Sequence, residues 1–213
     1  MLLNETKAKK ILLLLKKSIK NPKTSLKYRN YFTLLTSVVL SAQCTDTNVN
    51  NVTKDIYKKY YKPEHFVKLG ENKIKNLIKK IGLFNTKAKN LYFLSKILVT
   101  KYKSKVPNNF NELIRLPGVG RKTANVVLNE AFNQPTIAVD THVFRVSNRM
   151  GLSNGKNPEQ VERDLLKILP TKHLSKAHHL ILLHGRYICK ARNPNCKQCN
   201  INKICLYKNK KYE

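Results

Sequence analysis

The sequence predicts an all-α fold from two observations. Apolar residues recur with helical spacing in nearly every segment, and the alternation of apolar and polar residues that is typical of a half-buried strand is absent. Clusters of Pro, Gly and Asn separate these segments into about ten helices. With 213 residues, 41% of them apolar, the chain is long enough to bury a substantial core.

Two long segments carry the helical pattern most clearly. Residues 31–43 form an apolar run of helical length. Residues 85–102 place four apolar side chains on one helical face, Leu91, Leu94, Ile97 and Leu98. We therefore expect each segment to be a helix with a buried face.

A third helix has a recognisable start. Asn157 is a favourable N-cap, and Pro158 suits the first helical position because its fixed φ is already helical. We expect this helix to turn three leucines inward, Leu165, Leu166 and Leu169.

The net charge of the chain indicates which class of partner it binds. The formal net charge is +30, which in a globular protein favours a polyanionic partner and makes nucleic acid the first candidate. Lys outnumbers Arg by 34 to 8, however, and AT-rich coding favours lysine whatever the function. Part of the excess therefore has a compositional explanation, and specificity has to come from motifs.

The N-terminal region suggests no export. The apolar run of residues 11–15 is flanked by lysines and is far shorter than the about 20 residues of a spanning helix. No small-residue cleavage site follows it, so we expect no secretory signal, no membrane contact and an intracellular protein. In a reducing compartment the five cysteines favour metal binding over disulfides.

The stretch LPGVGRKTA, residues 116–124, joins two predicted helices. Residues 109–116 form the first, and residues 121–132 form the second, with four apolar side chains on one face, Ala124, Val127, Leu128 and Ala131. A nucleotide-binding P-loop needs a preceding strand and an ending Gly-Lys-Ser/Thr, whereas here an arginine separates glycine from lysine. The P-loop interpretation therefore fails on both counts.

The glycines of this hairpin suit a phosphate. Gly118 and Gly120 allow a tight turn and a close approach, while the amides of the next helix lie at the positive end of its dipole. Backbone amides hold phosphate whatever the base sequence. We expect DNA contacts at four consecutive positions, Gly118, Val119, Gly120 and Arg121. An ordinary turn between helices remains the alternative on these residues alone.

Several segments resemble one family in the same order. The hairpin LPGVGRKTANVVL is similar to that of helix-hairpin-helix base-excision DNA glycosylases, and TIAVDTHVFRVSNRMGL places Asp140 18 residues after Lys122. LSAQCTDTNVN, IGLFNTKAKN and HGRYIC resemble segments of the bacterial endonuclease III family. The resemblance covers most of the chain. It implies a bifunctional DNA glycosylase and AP lyase that removes oxidised pyrimidines from double-stranded DNA and cleaves abasic sites by β-elimination on their 3′ side.

Lys122 has two interpretations. A free lysine has a pKa of about 10.4 and is almost fully protonated at pH 7, so one more lysine in this chain would by default contact phosphate. The helix start and the adjacent Arg121 disfavour the ammonium, whereas DNA phosphates favour it. The resemblance implies that Lys122 attacks C1′ of the damaged nucleotide and forms a Schiff base with the sugar.

Asp140 also has two roles open to it. It precedes a predicted helix, and capping alone would explain an aspartate there. The resemblance implies that Asp140 is the catalytic carboxylate, which stabilises positive charge on the sugar or accepts protons from the amine. The chain departs from the family at Ile114, where relatives often carry a glutamate, while Glu112 lies nearby. An accessory acid at this point is therefore unsupported.

Two residues are candidates for filling the gap that a flipped nucleotide leaves in the duplex. The resemblance implies that Gln43 is a polar plug facing the unpaired base and that Leu83 is an apolar wedge. Taken alone, Gln43 is a polar residue at a helix end and Leu83 a core residue. The resemblance also assigns Ser41 and Asp46 to the pocket for the base.

Four cysteines form a cluster near the C-terminus. Their pattern within 17 residues is C-x6-C-x2-C-x5-C, at Cys189, Cys196, Cys199 and Cys205. Four thiolates at this density fit either zinc or an iron–sulfur cluster. The resemblance implies a 4Fe-4S cluster, chiefly structural, which presents Lys190 and Arg192 to DNA phosphate on a C-terminal loop.

The resemblance further implies two helical domains with DNA in the groove between them. One spans residues 24–135 and contains the hairpin, and the other joins residues 1–23 to 136–213 and carries the cluster. Lys122 and Asp140 would face each other across the groove. We also expect a monomer in the bacterial cytoplasm, associated with the nucleoid.

Two other function classes stay open. An adenine-mismatch glycosylase has a similar cluster, but it usually lacks the hairpin lysine and carries a further C-terminal domain, for which we expect no room after Cys205. A binding-only module would hold DNA without chemistry. Lys122 argues against the first class, and Lys122 together with Asp140 argues against the second.

Overall fold

A computed structural model describes residues 2–212. This part of the chain contains ten α-helices and no β-strand, which confirms the predicted all-α class. The helices are α1 (Glu5–Ser18), α2 (Tyr31–Leu40), α3 (Asp46–Lys59), α4 (Pro63–Leu77), α5 (Phe84–Tyr102), α6 (Phe110–Leu113), α7 (Arg121–Phe132), α8 (Thr141–Met150), α9 (Pro158–Ile168) and α10 (Thr171–Tyr187). None of these described helices is both long enough and apolar enough to cross a membrane.

The chain divides into two compact units. The hairpin unit is Ser25–Phe132 and contains α2 to α7. The cysteine unit combines the residues up to Thr24 with those from Asn133 onward, and it contains α1 and α8 to α10. Along the chain, the hairpin unit is therefore inserted between the two segments that form the cysteine unit.

Helix α2 is the most buried helix of the hairpin unit. Every residue from Phe32 to Leu40 is buried, because the sequence YFTLLTSVVL is apolar on all sides of the helix. Its polar groups are paired, since the hydroxyls of Thr36 and Ser37 each lie 2.8 Å from the Tyr57 hydroxyl. Burial raises the pKa of Tyr57 to about 12.

Helix α2 is shorter than the sequence predicts. The prediction extended it to Gln43, whereas it ends at Leu40. The Ser41 hydroxyl donates to the Val38 carbonyl at 2.8 Å, and Gln43 has a φ of 54°, a left-handed value that an α-helix excludes. The residues after Leu40 therefore form a turn, and this turn gives Gln43, a predicted site residue, its left-handed backbone conformation.

Helix α5 follows its prediction closely. It begins one residue earlier than predicted, at Phe84, and packs against α4. Three of the four predicted inward residues are fully buried and Ile97 is half-buried. The apolar face of α5 therefore holds the segment after Leu83 against the core.

The cysteine unit packs around α10, which contacts α1 and α8. Asn157 is the N-cap of α9, as predicted, and its side chain accepts a hydrogen bond from the Gln160 amide at 2.9 Å. Leu165 and Leu169 are buried, but Leu166 is 41% exposed, so that prediction was wrong. Consecutive helical residues point about 100° apart, and the neighbour of the buried Leu165 therefore faces away from the core.

Candidate nucleic-acid interface and active site

The predicted hairpin joins a very short helix to a long one. Helix α6 spans only Phe110–Leu113, less than the predicted 109–116, whereas α7 spans Arg121–Phe132 as predicted. In the loop between them, the Val119 amide donates to the Leu116 carbonyl at 3.0 Å, and Val119 is 5% exposed. Two buried side chains, Leu116 and Val119, therefore lie in this loop.

The two hairpin glycines serve different purposes. Gly118 has a φ of 77°, and a β-carbon added there would lie 2.9 Å from Asn90 Nδ2, so both backbone and space require glycine. At Gly120, no heavy atom among the described residues beyond its chain neighbours lies within 4 Å of an added β-carbon. The space beside Gly120 is therefore open to a ligand.

Arg121 and Lys122 are the first two residues of α7, and both are exposed. The Arg121 guanidinium lies 5.1 Å from the centre of the Phe110 ring, a cation–π contact that ties it to α6. The first amides of a helix lack partners within the helix and lie at the positive end of its dipole. The hairpin therefore presents a positive backbone, an exposed guanidinium and an exposed amine together.

Asp140 is the N-cap of α8, which confirms its predicted structural role. Its Oδ1 accepts a hydrogen bond from the Val143 amide at 2.8 Å. Within the described part of the cysteine unit, Oδ2 accepts none. The residue is half-buried. One oxygen of the carboxylate thus orients the side chain and the other is available to a ligand.

Gln43 and Leu83 share an unusual backbone. Their φ values of 54° and 60° lie in the left-handed region, which costs a residue with a side chain about 1–2 kcal/mol. Gln43 is exposed and Leu83 is 58% exposed. The interpretation of Leu83 as a core residue is therefore wrong, because it lies just before α5 and outside the packed face. A strained, exposed leucine contributes little to folding and suggests a role in binding.

The loops that carry these two residues are neighbours. A β-carbon added at Gly82 would lie 3.9 Å from the Gln43 carbonyl oxygen. The side chain of Asn48 also contacts the loop before Leu83, since its Nδ2 donates to the Lys80 carbonyl at 3.2 Å. The fold thus brings Gln43 and Leu83 to one edge of the hairpin unit.

Ser41 and Asp46, the residues assigned to the base pocket, flank Gln43 in the connection between α2 and α3. Ser41 is the C-cap of α2, and Asp46 is the first residue of α3, behind its N-cap Thr45. Both are half-buried. They therefore lie beside Gln43 along the chain, and each contributes to a helix end.

The fold brings the four predicted cysteine ligands together. Cys189, Cys196, Cys199 and Cys205 all line one cavity of the cysteine unit, each half-buried and each a free thiol. Soft thiolates suit zinc and iron–sulfur clusters, so this donor set fits either group. Among the described residues, no group of three or more Cys, His, Asp or Glu is arranged to hold a metal ion.

The apolar surroundings of this cavity shift the pKa of two of its thiols. Burial raises the pKa of Cys199 and Cys205 above the ordinary value for a thiol. His184 also lines the cavity, with Nε2 3.6 Å from Cys199 Sγ, and burial lowers its pKa to about 4. The imidazole is therefore neutral at pH 7, and thiolates in this cavity need positive charge from a bound group.

Two arginines of α8 donate hydrogen bonds to the segment from Cys189 to Ala191, in the loop between the first two predicted ligands, and no motif in the sequence predicts this role for either. Arg145 donates to the Cys189 carbonyl at 3.0 Å, and Arg149 donates to the carbonyls of Lys190 at 2.7 Å and Ala191 at 2.9 Å. Their spacing of four residues places them on one helix face, but only the fold supplies the partners.

Lys190 and Arg192 lie on this loop, and both are exposed. The loop is closed by the Asn195 amide, which donates to the Ile188 carbonyl at 3.0 Å. Two cations are therefore presented to solvent on a backbone that α8 holds in place.

Comparison with known proteins identifies the family. The family model described as "HhH-GPD superfamily base excision DNA repair protein" matches residues 36–171. Endonuclease III of Rickettsia conorii is 58% identical over 198 residues, which cover 93% of this chain and 94% of the relative. The chain belongs to the endonuclease III family. Endonuclease III of Escherichia coli is 47% identical over 208 residues, with 98% and 99% covered.

The fold agrees with this membership. A solved structure of a trapped covalent intermediate of endonuclease III with DNA, an estranged-adenine complex, matches with a TM-score of 0.90 and 43% identity. The match covers 95% of this chain and 96% of that one. As a member of the endonuclease III family, the chain is a base excision DNA repair protein.

One departure from the expected endonuclease III pattern lies on the hairpin surface. Ile114, where the resemblance leads us to expect a glutamate, is 42% exposed, and Glu112 lies within α6. The exposed side chain is apolar and has no acid function.

Lys87, a buried lysine in the first turn of α5, is not among the residues that the sequence predicts to be functional. It is 4% exposed, and its Nζ donates to the carbonyls of Leu40 and Ala42. No local signal distinguishes it from the other lysines, because its partners, the last residue of α2 and a residue of the turn after it, are distant along the chain.

Proposed function

We propose that Lys122 is the nucleophile and Asp140 the catalytic carboxylate of this enzyme, a DNA glycosylase and AP lyase of base excision repair that excises oxidised pyrimidines from double-stranded DNA. One observation carries the assignment. The exposed amine of Lys122 lies in the first turn of α7, directly after a hairpin whose Gly120 leaves space for a phosphate. A lysine in this place reaches the sugar next to the phosphate that the hairpin holds.

The chemistry begins at the unprotonated Nζ of Lys122, which attacks C1′ of the damaged nucleotide. The glycosidic bond breaks, and its electron pair leaves with the base, which takes up a proton. The sugar ring opens to a Schiff base between Nζ and C1′. Loss of a C2′ proton and departure of the 3′ phosphate then break the strand, and water releases the amine.

Asp140 acts on the same nucleotide in this proposal. As the base leaves, positive charge develops on the sugar, and a carboxylate oxygen nearby lowers the barrier. The same oxygen accepts protons from the attacking amine. The bond from Oδ1 to the Val143 amide supports this role, because it fixes the side chain and leaves Oδ2 for the substrate.

The hairpin holds the DNA backbone. Gly118, Val119, Gly120 and Arg121 contact phosphate through amides and one guanidinium, and such contacts are independent of base sequence. Lys190 and Arg192 add phosphate contacts from the cysteine unit. An enzyme that searches DNA for rare lesions needs this kind of contact.

The damaged nucleotide leaves the duplex before the chemistry, and Gln43 and Leu83 fill the gap. Gln43 faces the unpaired base, and Leu83 wedges between the neighbouring bases. Their exposure at one edge of the hairpin unit supports this role. Ser41 and Asp46, next to Gln43 along the chain, contribute to the pocket for the base.

Cys189, Cys196, Cys199 and Cys205 hold a 4Fe-4S cluster in this proposal. The free thiols around one apolar cavity support a group with soft ligands and positive charge. When bound, the cluster supplies a structural anchor for the loop that carries Lys190 and Arg192. Iron and sulfide analysis of the purified protein tests this assignment, and stoichiometric zinc would contradict it.

We further propose that the protein acts as a monomer in the bacterial cytoplasm, on the DNA of the nucleoid. The bacterial origin of the relatives supports this location.

Borohydride trapping tests the nucleophile, because borohydride reduces a Schiff base to a stable covalent adduct. On duplex DNA with thymine glycol we expect an adduct with the wild type and with Lys73→Ala, a control at an exposed lysine of α4. We expect none with Lys122→Ala. An adduct that persists in Lys122→Ala contradicts the assignment, whereas base release without any wild-type adduct indicates a monofunctional glycosylase.

A further inference from the structure

Lys87 is an unusual residue in a chain whose lysines are mostly exposed. Lysine is rarely buried unless its ammonium is paired. Lys87 is 4% exposed, and its Nζ donates to the Leu40 carbonyl at 2.9 Å and to the Ala42 carbonyl at 2.6 Å. Burial lowers its pKa. The buried ammonium of Lys87 is therefore paired with two backbone carbonyls and, among the described residues, with no carboxylate.

The location of these carbonyls explains why a cation suits them. Leu40 is the last residue of α2, and Ala42 lies in the turn that follows. The last carbonyls of a helix lack partners within the helix and lie at the negative end of its dipole. Lys87 therefore fixes the end of α2 and the turn that carries Gln43.

The backbone of Lys87 is bonded to the second insertion residue. Its amide donates to the Leu83 carbonyl at 3.0 Å, in the first turn of α5. One residue thus reaches Leu83 through its main chain and the residue before Gln43 through its side chain. Left-handed residues such as Gln43 and Leu83 persist only where their surroundings hold them.

Asn48 makes a second connection between the same loops. Its Nδ2 lies 3.2 Å from Cys44 Sγ, next to Gln43, and 3.2 Å from the Lys80 carbonyl, in the loop before Leu83. The turn that carries Gln43 and the segment that carries Leu83 are therefore connected twice, once through Lys87 and once through Asn48.

We propose that Lys87 is a positioning residue that holds Gln43 and Leu83 as one rigid element for insertion into duplex DNA. The proposal rests on the insertion roles given to these two residues under Proposed function. It predicts that loss of the Lys87 ammonium impairs steps that need insertion and spares steps that do not. A lysine that merely stabilises the fold would affect both equally.

The first test compares one abasic site in two settings, using the holoenzyme at equal concentrations of folded protein. In duplex DNA the enzyme has to fill a gap, whereas in a single strand there is no gap. For Lys87→Met we expect Schiff-base trapping to slow by about ten- to hundredfold on the duplex and to stay within about twofold of the wild type on the single strand. Lys89→Met, at an exposed lysine two residues along α5, is the matched control and should equal the wild type on both.

The second test measures insertion without chemistry. A duplex carries a reduced, uncleavable abasic site opposite 2-aminopurine, whose fluorescence rises when it is unstacked. At saturating protein we expect the rise with the wild type and Lys89→Met, and a much smaller rise with Lys87→Met. Failure of trapping in every variant would contradict the proposed nucleophile, while this fluorescence would still decide the role of Lys87.

Three results would overturn the proposal. They are an equal loss of trapping on duplex and single strand in folded Lys87→Met, no loss on either, and a wild-type fluorescence rise in that variant. Thermal unfolding by circular dichroism establishes the folded fraction. If Lys87→Met does not fold, Lys87→Gln replaces it, because a glutamine side chain is shorter than lysine and carries no ammonium, and its amide still offers a donor to the carbonyls that Lys87 holds. A loss confined to the duplex is again expected, and an unchanged duplex rate contradicts the proposal.

Discussion

The guanidinium of Arg149 donates a hydrogen bond of 2.7 Å to the Lys190 carbonyl and so joins the end of α8 to the loop after Cys189. The same guanidinium lies 4.6 Å from the centre of the Tyr207 ring, beyond the fourth cysteine. Because α8 begins at the Asp140 cap, one short helix carries the proposed catalytic carboxylate at its start and supports the cysteine loop at its end.

We expect Arg149→Met to loosen this loop. The substitution removes charged hydrogen bonds worth about 1.5–3 kcal/mol each to the loop and keeps most of the apolar stem. The iron content of the purified protein should fall, and the affinity for DNA should weaken. Metal analysis and DNA titration measure the two effects. Arg163→Met, at an exposed arginine of α9, is the control, and an equal loss of iron in both variants would refute the prediction.

The two hairpin glycines should respond differently to alanine. Gly118→Ala should lower the free energy of unfolding by about 1–2 kcal/mol or more, because its φ of 77° is strained for alanine and the methyl group meets Asn90. Gly120→Ala should leave stability within about 0.5 kcal/mol, since its surroundings are open. Its methyl group would occupy the space proposed for phosphate, so DNA binding should weaken.

Urea unfolding and DNA titration of both glycine variants check this contrast. If the Gly120→Ala protein is stable and binds DNA with wild-type affinity, the open space beside Gly120 does not hold a DNA phosphate.

Two substitutions at Asp140 separate its cap from its chemistry. Asparagine caps a helix about as well as aspartate, whereas alanine costs about 1 kcal/mol. We therefore expect near wild-type stability for Asp140→Asn and reduced stability for Asp140→Ala. Both should lose most base excision, because neither has a carboxylate. Base excision by Asp140→Asn at the wild-type rate would mean that Asp140 is only a cap.

The cations of the cysteine loop should act through phosphate. Each phosphate contact contributes about 0.9 to the slope of log affinity against log salt concentration. Lys190→Ala and Arg192→Ala should each lower the slope by about that amount, with little change in stability. Lys172→Ala, at an exposed lysine of α10, is the control. Slopes equal to the wild-type value would place the loop away from DNA.

The buried Tyr57 phenol should make stability depend on alkaline pH. Burial raises its pKa to about 12, so the neutral form is favoured in the folded state. A raised folded pKa contributes stability below the unfolded value of about 10, and this contribution is lost as pH rises toward 12. The stability of the wild type should therefore fall more steeply across this range than that of Tyr57→Phe. Parallel curves in denaturant unfolding would contradict the prediction.

Local patterns in the sequence were sufficient for much of the framework. The hairpin helix from Arg121 to Phe132, the cap at Asn157 and the cap at Asp140 each depend on residues within one or two helical turns, and the structure agrees at each place. The clustering of four cysteines was also predictable, because residues so close in sequence have little freedom to separate. Leu166 shows the limit, since only packing decides which side of a leucine-rich helix faces inward.

The sequence by itself thus determined most of the helices, the caps at Asn157 and Asp140, and the clustering of the four cysteines, because these follow from neighbours along the chain. The assignment of Lys122 as the nucleophile came from the family resemblance. Only the tertiary structure decided that Lys87 binds the end of α2, that Leu83 is exposed in a left-handed turn, and that Arg149 holds the cysteine loop. The bonds of Lys87 and Arg149 join segments about 40 or more residues apart. No local pattern encodes such pairings, since they form only when helices pack and leave backbone carbonyls that a distant side chain can reach.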